Sequence, residues 1–167
     1  MRKMTEENLW AAFAGESQAH IKYLNFAEKA EAEGKSNVAR LFRAASYAEQ
    51  VHAGRHLEVL KGIGGTADNL VEAAEGEDFE VTEMYPAYLA VADEQAEDEA
   101  YEAFDHALQA EKTHRELYRR AHKAVMAGGD ANFGDILVCP FCGYTFEGDA
   151  PEKCPVCNTA RGEFVKF

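Results

Sequence analysis

Two similar motifs recur along this chain, and they constrain its fold more than any other feature of the sequence. Glu49-x-x-His52 and Glu111-x-x-His114 each place a carboxylate three residues before an imidazole, which puts both side chains on the same face of a helix. A Gly-Glu pair precedes each motif, by 33 residues in the first case and by 34 in the second. This repeat predicts two helical hairpins, each presenting carboxylates and an imidazole.

Helical composition covers most of the chain. Up to about residue 127 the sequence is rich in Ala, Glu, Leu, Lys and Gln and contains a single proline, Pro86, which is typical of long helices. The four predicted helices start near Thr5, near Ser36, near Thr66 or Asp68, and near Asp98. The third runs through Pro86, where we expect a kink or an irregularity. Four helices of similar length predict a four-helix bundle over residues 1–129.

The repeated motifs fit one kind of bundle site. In a di-iron carboxylate bundle, two helices each supply an inward Glu and the other two each supply Glu-x-x-His. The seven candidate ligands are Glu16, Glu49, His52, Glu77, Glu80, Glu111 and His114. A single glutamate would ordinarily lie on a solvated helix face, but an apolar interior holds so many charges only when cations balance them. Carboxylate-rich sites do not by themselves distinguish iron from manganese.

The four cysteines predict a second metal site. Cys139-x-x-Cys142 and Cys154-x-x-Cys157 bring two pairs of thiolates together for tetrahedral coordination. Short apolar–polar alternations around them indicate a small β-rich domain over residues 130–167. A domain of this size is not stable by core burial alone, so we expect the metal to supply its folding energy. The spacing accepts structural zinc and redox-active iron equally.

The charge balance disfavours several classes of partner. With 30 acidic and 17 basic residues, the formal net charge is −13. Nucleic acids and anionic membrane surfaces both reward patches of Lys and Arg, so we expect neither as a partner. No apolar run approaches the roughly 18–20 residues of a membrane span, and the N-terminus has no signal-peptide core. We therefore expect a cytoplasmic protein, in whose reducing surroundings cysteines bind metal rather than form disulfides.

With these residues in place, the chain resembles the rubrerythrins over essentially its whole length. The matching segments, in order, are FAGESQAH, Glu49-x-x-His52, the GExxE of residues 76–80, EMYP, Glu111-x-x-His114 and CPFCGY. One departure is Asn158, which follows the second cysteine pair where Gly is common. The resemblance implies a mainly α fold, with a ferritin-like four-helix bundle and a small β-rich rubredoxin-like domain. It also favours iron at the four cysteines (FeS4), with zinc as a substitute.

The resemblance implies a function as well, the reduction of hydrogen peroxide to water at a non-haem di-iron site. In the family, one iron exchanges a Glu ligand for a His, and these positions correspond to Glu80 and His52 here. Tyr23 and Tyr85 match family tyrosines near the cluster, where their hydroxyls hydrogen-bond to ligands or peroxide. Electrons are expected from NAD(P)H through a reductase or a separate rubredoxin, and then through the cysteine-bound iron.

The link between the second and third helices predicts a homodimer. A ferritin-like bundle needs a long crossover there, but only about five residues, near Gly62 to Thr66, are free for it, and they cannot run the length of a bundle. We therefore expect a domain-swapped dimer in which each di-iron site draws ligands from both chains. Even without a swap, the resemblance implies a dimer in which the FeS4 domain of one chain serves the di-iron site of the other.

Two other functions are compatible with part of the pattern. The bundle alone would allow a ferroxidase or an iron-storage role, although storage has no need of an electron-input domain. A non-enzymatic interaction protein with a zinc ribbon on a helical scaffold would leave the seven-residue constellation unexplained.

Overall fold

The computed structural model describes residues 1–167 as five α-helices, two short helical turns and three strands. The helices are α1 (Lys3–Ala32), α2 (Ser36–Leu60), α3 (Thr66–Phe79), α4 (Tyr85–Glu94) and α5 (Asp98–Met126). A π-helical turn spans Glu80–Met84, a 3-10 turn spans Arg161–Glu163, and the strands are β1 (Ile136–Val138), β2 (Thr145–Glu147) and β3 (Val165–Lys166). The chain divides into two compact units, Met1–Gly64 and Gly65–Phe167. No helix combines the length and the apolar character that a membrane span requires.

The first unit is a hairpin of α1 and α2, and small side chains line the packed face of α2. Ala39, Ser46 and Ala53 are buried at intervals of seven residues. Seven residues are close to two helical turns, so the three side chains form one stripe along α2. Ala27 is buried on α1. The turn between the helices contains Gly34, whose φ of 70° is left-handed and favours a residue without a Cβ.

A buried polar contact joins the two helices of this hairpin. The side chain of Ser46 is fully buried, and its Oγ lies 2.9 Å from the carbonyl oxygen of His20 and 2.8 Å from Nδ1 of the same residue. The ring of His20 also lies 2.9 Å from the carbonyl oxygen of Ser46, through Nδ1. Because a buried hydroxyl needs a hydrogen-bond partner, His20 contributes to the packing of the hairpin.

In the second unit, α3, the π-helical turn and α4 follow one another as a single helical stretch. The irregularity predicted near Pro86 is present, and the π-helical turn ends just before this residue. Pro86 has no backbone N–H, and in a regular α-helix its ring would clash with the carbonyl of Thr82. The helix widens instead, and the N–H of Tyr85 bonds to the carbonyl of Glu80. π-Helical turns are frequent at functional sites, and this one begins at a predicted ligand, Glu80.

The second unit ends in a three-stranded antiparallel sheet with the order β2-β1-β3. The ring of Phe146 in β2 stacks on Phe164, with 5.1 Å between centroids, and meets Tyr144 edge to face at 4.9 Å. These rings pack against buried cysteines, so the sulfurs lie at the centre of this small core. The domain boundary predicted between residues 129 and 130 falls in the connection from α5 to β1, and it stays a prediction.

Candidate metal centres

The four cysteines converge on one point. Their Sγ atoms lie within 4.8 Å of one another, with 3.4 Å between Cys139 and Cys157 and 3.5 Å between Cys142 and Cys154. A tetrahedral metal with bonds of about 2.3 Å to sulfur separates its ligands by about 3.8 Å. These pairs therefore need to separate by only a few tenths of an ångström to bind a metal. None of the four forms a disulfide, and the donor set fits iron or zinc.

Backbone N–H groups stabilise a thiolate in the first cysteine pair. Burial by itself raises the pKa of the Cys139 thiol, but the N–H groups of Cys142 and Phe141, together with the Cys157 thiol, outweigh it and hold this pKa to about 6. Burial raises the pKa of Cys142 and of Cys154. Cys139 is therefore ready to bind a cation, whereas Cys142 and Cys154 would release their protons when the metal binds.

Asn158 makes the same turn as a glycine would. The corresponding residue after the first cysteine pair is Gly143, with φ of 76°, and Asn158 has φ of 65°. The N–H of Gly143 donates to the carbonyl of Cys139 at 3.0 Å, and the N–H of Asn158 donates to the carbonyl of Cys154 at 2.9 Å. Asn is among the few residues with a Cβ that tolerate this left-handed conformation. The departure from the family pattern thus leaves the local turn unchanged.

In the first unit, Glu16 from α1 and Glu49 and His52 from α2 form a group of potential metal ligands. Their ligand atoms lie within 4.8 Å of one another, and Nδ1 of His52 lies 3.2 Å from Oε2 of Glu49. The hydrogen bond between the two carboxyl groups raises the pKa of Glu16 and lowers the pKa of Glu49. Two carboxyl groups this close disfavour ionisation of both, and a bound metal ion would relieve their repulsion.

In the second unit, Glu77 from α3 and Glu111 and His114 from α5 form a matching group. Their ligand atoms also lie within 4.8 Å of one another, with 2.6 Å between Nδ1 of His114 and Oε2 of Glu111. Burial and the charge of Glu111 raise the pKa of Glu77 to about 7. The hydrogen bond between Glu111 and His114 lowers the pKa of the carboxyl and raises that of the imidazole. Such a crowded set of carboxylates favours a bound cation.

Glu80 and Tyr85 lie beside this second group. Burial and the Glu111 charge raise the pKa of Glu80, and burial with the charges of Glu80 and Glu111 raises the pKa of the Tyr85 phenol. The Glu80 carboxylate is not among the ligand atoms that lie within 4.8 Å of one another. The seven predicted ligands are thus found as one group of three in each unit, with Glu80 next to the second group.

Two further tyrosines bear on the candidate sites. Tyr23 packs against the rings of Phe26 and Phe42, with centroids 6.2 Å and 6.1 Å away, in an aromatic group of the first unit. Tyr118 was not predicted, although burial and the nearby charge of Glu77 raise the pKa of its phenol. It follows His114 by four residues on α5, and this one-turn spacing is a signal that could have identified it.

The donor atoms of the two carboxylate–imidazole groups suit iron. Carboxylate oxygens are hard ligands that stabilise the ferric state, whereas imidazole also binds ferrous iron well. The four thiolates are soft ligands, which favour zinc or iron in a tetrahedral site. The chain therefore holds two chemically different kinds of metal site.

Two family models match the chain, one for each kind of site. The Rubrerythrin model matches residues 7–122, and the model of the rubredoxin-like domain of rubrerythrin matches residues 138–165. Rubrerythrin-2 of Clostridium acetobutylicum is 38% identical over 178 residues, which cover 98% of this chain and 97% of that protein. Nigerythrin of Nitratidesulfovibrio vulgaris is 35% identical over 177 residues, which cover 98% of this chain and 86% of nigerythrin.

Solved structures show the same similarity. Nigerythrin in its fully reduced, all-ferrous state matches with a TM-score of 0.58 and 34% identity, covering 98% of this chain and 86% of the nigerythrin chain. Partially reduced nigerythrin matches with the same TM-score, identity and coverage. The predicted fold class is confirmed: mainly α, of the ferritin-like four-helix bundle type, with a small β-rich rubredoxin-like domain.

Proposed function

Because the chain belongs to the rubrerythrin family, we propose that it is an oxidoreductase that reduces hydrogen peroxide to water at a non-haem di-iron site. The observation that carries this proposal is the presence of a carboxylate–imidazole group and a four-cysteine group within one compact unit. The first group suits a metal that acts on a substrate, and the second suits a metal that passes electrons. An iron-storage protein has no need of a four-cysteine site that passes electrons.

The cofactors predicted from the sequence are confirmed. The rubrerythrin domain implies a di-iron centre, and the rubredoxin-like domain implies one iron held by four cysteines. When bound, the paired iron ions supply two electrons together, which allows the O–O bond to be cleaved without release of a one-electron radical. The balance is H2O2 + 2 H+ + 2 e− → 2 H2O.

We assign the ligands of the two centres to the groups described above. The proposed di-iron ligands are Glu16, Glu49, His52, Glu77, Glu80, Glu111 and His114, and the proposed FeS4 ligands are Cys139, Cys142, Cys154 and Cys157. Each set contains the donor types that its metal prefers. The close approach of carboxyl groups within each helical pair supports the di-iron assignment, because such crowding is costly unless a cation relieves it.

Four residues have proposed roles at the di-iron site beyond simple ligation. Glu80 and His52 are the proposed exchange pair, of which one would hold iron in each oxidation state. Glu80 stands at the start of the π-helical turn, and the His52 side chain is 55% exposed in the single chain. Burial and nearby carboxylates move the pKa of Tyr85 still further above neutral pH, so its phenol stays protonated and can donate a hydrogen bond to a carboxylate or to peroxide. Tyr23 is proposed as a second donor on the resemblance alone.

The four-cysteine centre is the proposed entry point for electrons. They come from NAD(P)H through a reductase or a separate rubredoxin, one electron at a time, so two transfers are needed for each peroxide. Free thiols suit a reducing compartment, which supports a cytoplasmic location. The net charge of −13 supports the absence of nucleic acid and of anionic membranes among the partners.

We also propose a homodimer with exchanged helical hairpins. Five residues connect Leu60 at the end of α2 to Thr66 at the start of α3, and they can span at most about 18 Å. The 25 residues of α2 form a helix about 38 Å long. A link this short cannot return along α2. In the proposed dimer, the first hairpin of one chain completes the di-iron site of the second hairpin of its partner.

Mixing two inactive variants tests the exchange. His52→Gln disables the first hairpin and His114→Gln disables the second, so each variant alone has no intact site. In an exchanged heterodimer, one site collects both substitutions and the other has none. Co-refolding equal amounts should then restore about a quarter of wild-type activity, because half of the dimers are mixed and each has one good site. Mixed dimers that form without any recovery of activity would contradict the exchange.

Stopped-flow spectroscopy under anaerobic conditions tests the peroxidase function. The fully reduced, iron-loaded protein is mixed separately with H2O2 and with O2, and oxidation of the FeS4 chromophore is followed. We expect peroxide to oxidise it quickly and O2 much more slowly. His114→Gln should abolish the fast phase, whereas the matched control His122→Gln, two turns further along α5, should retain it. Faster oxidation by O2, with ferric iron accumulating beyond the bound sites, would instead indicate a ferroxidase.

A further inference from the structure

We infer that Thr145 is a positioning residue for His114. Through Thr145, the cysteine domain (residues 130–167) orients a ligand of the carboxylate site formed by Glu77, Glu111 and His114 of the same chain. Oγ1 of Thr145 in β2 lies 2.7 Å from Nε2 of His114 in α5. The two residues belong to the same compact unit. The inference rests on the proposed function only in taking His114 as a metal ligand, and it does not depend on peroxide being the substrate.

The hydrogen-bond pattern assigns a proton to one atom of the imidazole. The hydroxyl of Thr145 has a single proton, which it donates to the carbonyl oxygen of Gly143 at 3.1 Å. Its oxygen then accepts a hydrogen bond from Nε2 of His114 at 2.7 Å. Nδ1, which donates to Glu111 at 2.6 Å in the metal-free chain, is then the nitrogen that a metal would bind in place of its proton. Thr145 therefore selects the tautomer and fixes the ring orientation, as the outer partners of metal-bound histidines commonly do.

The burial of Thr145 argues against a merely incidental contact. Its relative exposure is 7%, and it is one of only two buried polar residues in the chain. Valine has nearly the same shape and would pack equally well at a buried strand position, but it would leave Nε2 of His114 without an acceptor. Since buried polar groups are normally paired, the hydroxyl and the imidazole satisfy one another.

Contacts along α5 place Thr145 in register with His114. The ring of Phe141 meets His106 at 5.7 Å, and Glu147 forms an ion pair with Arg120. From His106 to Arg120 the helix advances about 21 Å. His114 lies between His106 and Arg120 on α5, and Thr145 lies between Phe141 and Glu147, so Thr145 is held opposite His114 by a contact on each side.

The Arg120–Glu147 pair is well supported for an exposed interaction. Nη1 and Nη2 of the guanidinium group both donate to the carboxylate, with 3.0 Å from Nη2 to Oε1. Glu147 also accepts from the N–H of Gly134 at 3.4 Å, and the guanidinium lies 5.3 Å above the ring of Phe133. A bidentate pair has a defined geometry, so it limits how far β2 can slide along α5.

This contact also joins the two proposed metal centres within one chain. Gly143, whose carbonyl oxygen accepts the hydrogen bond from Thr145, directly follows the proposed FeS4 ligand Cys142. A path of two hydrogen bonds and a short piece of backbone therefore runs from His114, a proposed di-iron ligand, to Cys142, a proposed FeS4 ligand. The family resemblance implies instead that the cysteine domain of one chain serves the di-iron site of the other.

Nuclear magnetic resonance of the zinc-loaded, diamagnetic protein tests the proton assignment. In the wild type, His114 should show a slowly exchanging proton on Nε2, assigned by its absence from His114→Gln. Thr145→Val should accelerate exchange of this proton at least tenfold, and Thr145→Ser should restore slow exchange. Thr113→Val is the matched control, because it removes a neighbouring hydroxyl of α5 that bonds only to the carbonyl of Ala110.

Metal affinity gives a second readout, measured by competition with a chromophoric chelator. Loss of a partner behind a metal-bound histidine costs about tenfold or more in affinity, so Thr145→Val should weaken zinc binding at the carboxylate site by about that factor. Affinity at the four cysteines should not change, and Thr145→Ser and Thr113→Val should behave like the wild type.

Several outcomes would overturn the inference. A slowly exchanging Nε2 proton that survives in Thr145→Val would show that another group holds it. Equal losses of affinity at both sites, without recovery in Thr145→Ser, would show that Thr145 serves only to pack the cysteine domain. Either result leaves the peroxidase proposal standing, whereas a failed peroxidase assay with intact proton protection would refute the function and leave the role of Thr145 in place.

Discussion

Replacing Glu77 by glutamine should stabilise the metal-free protein at neutral pH while weakening its metal site. The Glu77 side chain is only 18% exposed, and burial with the neighbouring Glu111 raises its pKa from 4.5 to about 7. Each unit of pKa shift corresponds to about 1.4 kcal/mol, so an ionised Glu77 costs up to about 3 kcal/mol of folding free energy. Glutamine has nearly the same shape and no charge, so it avoids this cost.

The sign of the pH dependence follows from the direction of the shift. Below about pH 4.5 the carboxyl group is protonated in both the folded and the unfolded chain, and it costs nothing. As the pH rises towards 7, the unfolded chain loses this proton before the folded protein does, so the wild type loses stability. Above about pH 7 the loss is complete. The advantage of Glu77→Gln should therefore be near zero at pH 4 and about 3 kcal/mol at pH 8.

Urea unfolding of chelator-treated protein, followed by far-ultraviolet circular dichroism at fixed protein concentration, measures this difference. Glu72→Gln is the matched control, since Glu72 is exposed on the same helix, and it should have the wild-type stability at both pH values. Adding Mn²⁺ should stabilise the wild type more than Glu77→Gln, because the metal needs the carboxylate. The reasoning is refuted if Glu77→Gln matches the wild type at pH 8, or if its advantage is the same at pH 4.

Three further substitutions probe the helices, the domain contact and the cysteine site. Ala96 has a left-handed φ of 55°, a conformation that costs a residue with a Cβ about 1 kcal/mol. Ala96→Gly should therefore raise the free energy of unfolding. The control Ala92→Gly, inside α4, should lower the free energy of unfolding. Arg120→Met removes the ion pair with Glu147, so limited proteolysis should cut the connection after α5 faster than in the wild type. Added salt should narrow this difference in cleavage rate, because it screens the pair. Equal cleavage rates at low salt would show that the pair does not hold the cysteine domain. Cys157→Ser replaces one sulfur, so the visible absorption of FeS4 should vanish while the helical circular dichroism remains; an unchanged spectrum would exclude Cys157 as a ligand.

Local signals were sufficient for the helices and for the cysteine pairs. Capping residues and apolar spacing, with glycine-containing breaks before α2 and α3, located the starts of the four helical stretches within two residues of the observed ones, because capping and periodicity depend on neighbouring residues only. The two Cys-x-x-Cys pairs predicted a convergent cluster for a similar reason, since two tight turns bring their sulfurs together.

The details of the carboxylate site depended on less local features. Pro86 predicted an irregularity, but not that it would take the form of a π-helical turn that begins at Glu80. The choice between a kink and a wider turn depends on how the helix packs, because both relieve the same clash. Tyr118 was missed since an aromatic residue at helical spacing is ordinarily part of a core.

The sequence by itself determined the kinds of metal site in this protein, since ligand type and spacing set which metals can bind. It also determined the helical hairpins, because helix formation follows from short-range periodicity and glycine breaks. Only the tertiary structure decided which atom of His114 is left for a metal. That choice depends on Thr145, 31 residues further along the chain, and no local pattern encodes a hydrogen bond between a helix and a strand so far apart. Its physical reason is the packing of β2 against α5, which brings one hydroxyl to one imidazole nitrogen.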